Sequence, residues 1–257
     1  AQSAAAARRA PGQGPAQGPR HAPDCAAIPP LLPSPTADGD PAMTPAPPQT
    51  PPAPLSPEVL TLNLFSNVAA PDPARNLAPR AAESALAALR VEASHRVVLR
   101  LFCDPNPHPA AFDAWVEAAR AALAPRPLEI HRTRGLAEGW LRSLALAEGA
   151  LALQMEHDFV LLPGRIRHAL AEIAPAMARG GVTHLRFNKR ANRAQGYDAF
   201  MVPDPLPGIP CCRVPGRSNN PHLIDVAHAR ALVAPWVDRT ATKAAGPEGR
   251  VGRFPGG

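Results

Sequence analysis

The chain has 257 residues, room for one large or two small domains, and a formal net charge of +6. It contains no apolar run of the roughly 18 residues that a bilayer span needs. Its four cysteines include no CxxC pair, which argues against a zinc knuckle. The positive charge does not name a polyanionic partner either. Lys189 and Lys243 are the only lysines, no dense basic run occurs, and the excess of Ala, Pro and Gly fits GC-rich coding. Aromatic residues make up 4% of the chain, too few to supply the stacking platforms of a single-strand nucleic-acid binder.

Residues 1–57 hold 16 of the 35 prolines. A stretch such as "TPAPPQTPPAPLSP" builds neither a helix nor a central strand, because proline fixes φ and lacks an amide proton. This segment is expected to be a disordered, polyproline-like tail. Arg8, Arg9 and Arg20 balance Asp24, Asp38 and Asp40 there, so the net charge belongs to residues 58–257. That remainder is long enough for one core. Its run-out in "RVGRFPGG" closes no obvious element, which reads as a C-terminal truncation of the domain.

From Leu60 onward strands and helices alternate. "LTLNLFSNV" (60–68) has the period-two pattern of a strand, and "PRAAESALAALRV" follows as a helix with proline near its start. "HRVVLRLFCD" (95–104) is β-branched and apolar, a second strand. Phe112, Trp115, Val116, Ala119 and Leu123 then recur at helical spacing. "LEIHRT" reads as a short strand, and "GLAEGWLRSLALAEG" as a helix ending in glycine. "LALQMEHDFVLL" (151–162) is the fourth strand. A helix stripe at Ile166, Leu170, Ile173 and Met177 and a fifth strand, "GVTHLRFN" (181–188), complete the series. Such alternation predicts an α/β fold with a mostly parallel central sheet flanked by helices. Ligands of such sheets sit beyond the carboxyl ends of the strands.

The fourth strand raises the functional question, because Glu156, His157 and Asp158 interrupt its apolar run. In extended chain Glu156 and Asp158 fall on one side and His157 on the other. Paired carboxylates suit a hard divalent cation, Mg or Mn, which neutralises a diphosphate leaving group. The plain alternative is two acids that solvate a strand end. Downstream, Asn188, Lys189 and Arg190 offer donors to phosphate oxygens, or else a solvated strand end. "GRSNNPHLI" (216–224) is a polar loop in which His222 is a candidate third metal ligand. Trp140 reads as helix core. Arg142 and Ser143, one helix before the acids, are read as solvent-exposed rather than phosphate-binding. The motifs of P-loop, Gly-x-Gly-x-x-Gly, Gly-x-Ser-x-Gly and HExxH enzymes are absent from the sequence.

The segment "AEGWLRSLALAEGALALQMEHDFVLLPGRIRHAL" resembles the helix, turn, strand and acidic motif of GT-A-fold glycosyltransferases. "LRLFCDPNPHPAAFDAW", "HLRFNKRAN" and "SNNPHLID" add to the likeness, which covers roughly residues 60–240. The resemblance implies a nucleotide-sugar donor and a glycan, lipid or protein acceptor. It implies that Asp104 contacts the nucleoside and that a divalent metal bridges the diphosphate to Glu156 and Asp158. Two departures stand out. The motif is Glu-His-Asp rather than Asp-x-Asp, and no acidic pair marks the general base, for which Asp225, Asp238 and Glu248 are candidates. The rival readings are a catalytically degenerate transferase-like binding protein, a basic nucleic-acid-binding module, and a nucleotidyltransferase.

Overall fold

Leu60, Leu62 and Leu64 alternate with Thr61 and Asn63, and Val59–Ser66 forms β1, the strand around which the sheet is assembled. A computed structural model describes residues 58–188, 200–214 and 220–237, all within one unit, Thr50–Gly257. The tail expected over residues 1–57 lies outside the described residues. After β1 come helix α1 (Ala78–Ala88), β2 (Arg96–Cys103), α2 (Pro109–Leu123), β3 (Leu128–Arg132) and α3 (Leu136–Leu146). They are followed by β4 (Leu151–Glu156), α4 (Leu170–Arg179) and β5 (His184–Arg186). A two-stranded hairpin of β6 (Val202–Pro203) and β7 (Cys212–Arg213), then β8 (His222–Asp225) and a helical segment opening at Val226, complete the described chain.

The main sheet has six strands in the order β3-β2-β1-β4-β8-β5. β1 pairs in parallel with β2 and β4, and β2 with β3. β8 runs antiparallel between β4 and β5. The expectation of a mostly parallel, helix-flanked α/β sheet is met, with one reversed strand that the sequence reading placed in a loop. Several boundaries differ as well. β4 stops at Glu156, α4 begins at Leu170 with Ile166 ahead of it, and β5 has three residues where eight were expected.

Helices α1, α2 and α4 cover one face, over a core of Leu60, Leu62, Leu64, Leu99, Leu101 and Leu153. The α2 stripe is fully committed to it: Phe112, Trp115, Val116, Ala119 and Leu123 are each at most 3% exposed. Burying each large apolar side chain stabilises by roughly 1.5–3 kcal/mol. Helix α3 and the segment after β8 cover the other face, around Phe65, Phe102, Trp140, Leu144 and Ile224. Trp140 is core, as expected. Ser143 is not exposed: it is fully buried and hydrogen-bonds Gln154, tying α3 to β4. The Arg230 guanidinium closes the far end of α3 by donating to the carbonyls of Leu144, Ala145 and Ala147, at a terminus where helix carbonyls run short of backbone partners.

On this second face the sheet carries a polar row in register across all six strands: Glu129, Arg100, Asn63, Gln154, His222 and Arg186. Asn63, Arg100 and Gln154 are at most 4% exposed. Arg100 bonds Glu129 through Nε and Glu148 through Nη2, both at 2.7 Å. Glu148 also takes Arg96 at 2.6 Å, and its peptide is clamped by Thr61 Oγ1, which donates to the Glu148 carbonyl and accepts from its N–H.

Glycine does not end α3, which stops at Leu146. Gly149 instead makes the turn into β4 at φ +79°, where a Cβ would meet Val59 O at 2.6 Å. Gly149→Ala is therefore expected to cost about 2 kcal/mol or more in urea denaturation, from left-handed strain plus the clash. Glu148→Ala, which takes a charged partner from buried Arg100, is expected to cost about 1.5 kcal/mol, since Glu148 itself is 39% exposed and screened. Its bonds to Arg96 and Arg100 hold the Glu148 carboxyl below the usual range. That contribution is present above the unfolded pKa and lost as pH falls through the folded one. The stability gap between wild type and Glu148→Gln should accordingly narrow as pH falls below the ordinary glutamate value of about 4.3 and close once the folded-state carboxyl is protonated.

Candidate functional site

The C-terminal end of β1 organises the sheet edge where the parallel strands finish. The Ser66 carbonyl accepts from the Asp104 amide and the Phe65 carbonyl from the His157 amide, each at 2.9 Å. Asp104 thus leaves β2 on one side of β1, and the acidic segment leaves β4 on the other. With about 4.8 Å between neighbouring strands, the backbones of β2 and β4 lie roughly 10 Å apart. The adjoining loops are tied together: Asn106 Nδ2 donates to the Val68 carbonyl, and Asn106 Oδ1 accepts from the His108 amide at 2.8 Å. Thr133, at the end of β3, donates its amide to Cys103 O at 3.0 Å. Gly139 of α3 faces this end of the sheet, where a Cβ would make ordinary contact with Thr133, Phe102 and Phe65 at 3.4 to 3.6 Å.

The three ionisable residues of "MEHDF" end a strand and make a turn. Glu156 is the last residue of β4, pairs with Phe65, and is half-buried. Its carbonyl accepts from Phe159 N at 3.2 Å, so His157 and Asp158 are the corner residues of a turn, and Asp158 is exposed. The period-two argument that set Asp158 beside Glu156 therefore stops one residue short. "FVLL" is not more strand. Phe159 packs on the core, Leu161 is 7% exposed and donates its amide to Ser84 Oγ at 3.0 Å, while Leu162 is out in solvent. His157 faces α2: its ring meets Trp115 edge-on at 5.6 Å, and Nδ1 lies 3.2 Å from Phe65 O. Burial pushes the His157 pKa down, against the pull of the Asp158 carboxylate, so the ring is neutral at pH 7.

The remaining candidates separate into groups. His222 begins β8 opposite Gln154 and so lies towards the same edge as Glu156. Its ring stands 4.5 Å from that of His184 and its Nδ1 is 2.8 Å from Asn220 O. Among the described residues no group of three His, Cys, Asp or Glu side chains converges to hold a metal ion, so the Glu156, Asp158 and His222 triad is not assembled. Asn188 follows β5, the outermost strand, and is exposed. Asp104, Glu156, Asn188 and His222 each have a partner in the structure. Lys189, Arg190, Asp238 and Glu248 lie outside the described residues.

Asp225 is a correction. It ends the antiparallel β8 opposite Leu151, the first residue of β4, and so sits at the sheet edge away from Asp104 and Glu156. Its carboxylate accepts from His228 N at 3.0 Å and caps the helical segment that follows. That is a structural task, five residues of strand away from the acidic turn.

By donor chemistry Glu156 and Asp158 are of the kind that Mg or Mn takes, ions that keep waters and substrate phosphate oxygens in their remaining positions. Neither carboxylate is sealed in the core, so each is able to serve. Cys103 beside Asp104 offers no thiolate, since burial raises its pKa to about 12. Sequence reasoning missed the role of the β1 end, since Phe65 and Ser66 act through main-chain carbonyls, which leave no mark in side-chain patterns.

No protein-family model and no curated protein matches the chain. Solved structures that align with the chain include TarS 1–349 of S. aureus, at 13% identity and a TM-score of 0.46, covering 72% of this chain and 52% of that one. The mannosyltransferase PcManGT of Pyrobaculum calidifontis, in complex with GDP-Man and Mn2+, aligns at 17% identity and a TM-score of 0.43 over 68% of this chain and 46% of that one. Glucosyl-3-phosphoglycerate synthase of M. tuberculosis aligns at 11% identity and a TM-score of 0.36, over 66% and 58%. The chain spans about half the length of the first two of these proteins.

Proposed function

We propose that the chain is a nucleotide-sugar-dependent glycosyltransferase. The observation that carries this reading is the placement of Asp104 and the Glu156–Asp158 turn on one sheet edge, either side of the β1 terminus. The gap between them, roughly 10 Å, suits a nucleoside diphosphate lying across the end of β1. Asp104 would accept hydrogen bonds from the nucleoside. Glu156 and Asp158 would hold Mn or Mg, which neutralises the diphosphate as a leaving group. Asn188, Lys189 and Arg190 remain candidates for phosphate oxygens.

Transfer requires an acceptor hydroxyl to attack the anomeric carbon while the bond from that carbon to the diphosphate breaks. The hydroxyl proton passes to a base. With Asp225 engaged as a helix cap at the other edge, Asp238 is the candidate retained for that role. Sugar and acceptor are left open at the level of a nucleotide-sugar and a hydroxyl.

The test is a titration of UDP and GDP with and without Mn2+, on wild type, Asp158→Ala and Glu156→Ala. Nucleotide binding is expected to depend on the cation, and each substitution to weaken it at least tenfold, about 1.4 kcal/mol. Binding that ignores both Mn2+ and the two substitutions would remove the metal assignment. Mn2+-dependent binding without transfer from any donor, including slow hydrolysis, would favour the degenerate binding-protein reading.

A further inference from the structure

We infer that His157 is a positioning residue: it locks the turn bearing Glu156 and Asp158 against the end of β1, so that the two carboxylates stay in one arrangement. The inference deepens the reading of this edge as a cation and nucleotide site and rests on it for its purpose, though not for its geometry. The Phe65 carbonyl receives two contacts from one residue, the His157 amide at 2.9 Å and the ring Nδ1 at 3.2 Å. A carbonyl oxygen has two lone pairs and accommodates both. The ring must then carry its proton on Nδ1, a tautomer assigned from this bond.

The ring is held from its other side too. It meets the edge of Trp115, which is 1% exposed and stacked on Phe112 at 5.5 Å. The Trp115 carbonyl in turn accepts from Asn76 Nδ2 at 2.6 Å, fixing α2 to the segment before α1. The corner of the turn is thus bolted between β1 and α2, and the bond from Phe159 N to Glu156 O closes it. Asp158 itself is exposed and past the end of the strand ladder, so its placement follows from how the turn is held. Two neighbouring carboxylates repel, and a turn free to move would relax by splaying them. A residue that only filled space between Trp115 and Phe65 would need no nitrogen at the Nδ1 position. That difference makes the idea testable.

The experiment compares the whole chain as wild type, His157→Leu and His157→Asn. Leucine keeps apolar bulk against Trp115 and removes the donor; asparagine places an amide nitrogen where Nδ1 was. The first readout is amide hydrogen exchange at residues 156–159, set against global stability from urea denaturation. Exchange there should rise at least tenfold in His157→Leu and stay within threefold of wild type in His157→Asn, even where the two variants unfold at similar urea concentration. The second readout is Mn2+-dependent UDP and GDP affinity, expected to fall tenfold or more with leucine and to be rescued by asparagine. Two variants that behave alike in exchange would reduce His157 to packing and overturn the inference. A wild type that binds no nucleotide with Mn2+ would instead sink the transferase reading, and the exchange comparison would still decide the role of His157.

Discussion

Two main-chain carbonyls at the end of β1 hold this edge together. Phe65 O and Ser66 O point to opposite sides of the strand, as successive carbonyls in a strand do, and each accepts an amide from the residue that follows a neighbouring strand. Without those bonds Asp104 and the acidic turn would leave the sheet as independent loops. With them, the loops begin at fixed points either side of a strand whose alternate side chains are fully buried. The precision of the edge therefore derives from the least polar part of the molecule, the Leu60, Leu62 and Leu64 row under α1 and α2.

The opposite face is built differently. A parallel sheet covered on both sides ordinarily reads as continuous apolar strands, yet here Thr61, Asn63, Arg100 and Gln154 are all but sealed from solvent. Arg100 is tolerable because two carboxylates at the open side of the sheet share its charge, and those carboxylates remain partly hydrated. Burying a charge beside partners that stay wet avoids part of the desolvation penalty that a fully buried pair suffers. Ser143 and Gln154 answer each other across the interface of helix and strand. A displaced α3 would leave both side chains buried without each other, a cost that a sheet face made only of leucines would not impose.

Much of the fold was legible because its signals are local. The α2 stripe of Phe112, Trp115, Val116, Ala119 and Leu123 has one physical meaning, and every one of its members is buried. The parallel strands followed from the alternation of elements. What escaped was non-local. "HLID" is too short for periodicity to separate strand from loop, and only pairing to β4 on one side and β5 on the other makes it β8. That reversal determined the fate of two candidate residues at once. His222, at the start of β8, came to the edge of interest, and Asp225, three residues later, went to the far side. Ser143 misled because serine in a helix is usually exposed, and its buried partner lies on another element. The acidic turn was legible as a break in an apolar run and not as a geometry: "FVLL" returns to the core as a loop, so the strand stops at Glu156.

The character of the edge also constrains what it is able to bind. Asp104 follows β2, Glu156 ends β4 and Asp158 lies in the turn after it, and no lysine or arginine stands within the segments 102–107 or 154–161 that carry them. A diphosphate brought against these acids alone meets charge of its own sign, and the repulsion grows as water is displaced and the local dielectric falls. A neutral or cationic ligand meets no such barrier. On the proposed reading, occupation by a nucleoside diphosphate would therefore go together with occupation by a divalent cation. Under that proposal metal dependence would be the condition under which the acids favour such a ligand, and a nucleotide bound there without a cation would have to be held by some other part of the chain.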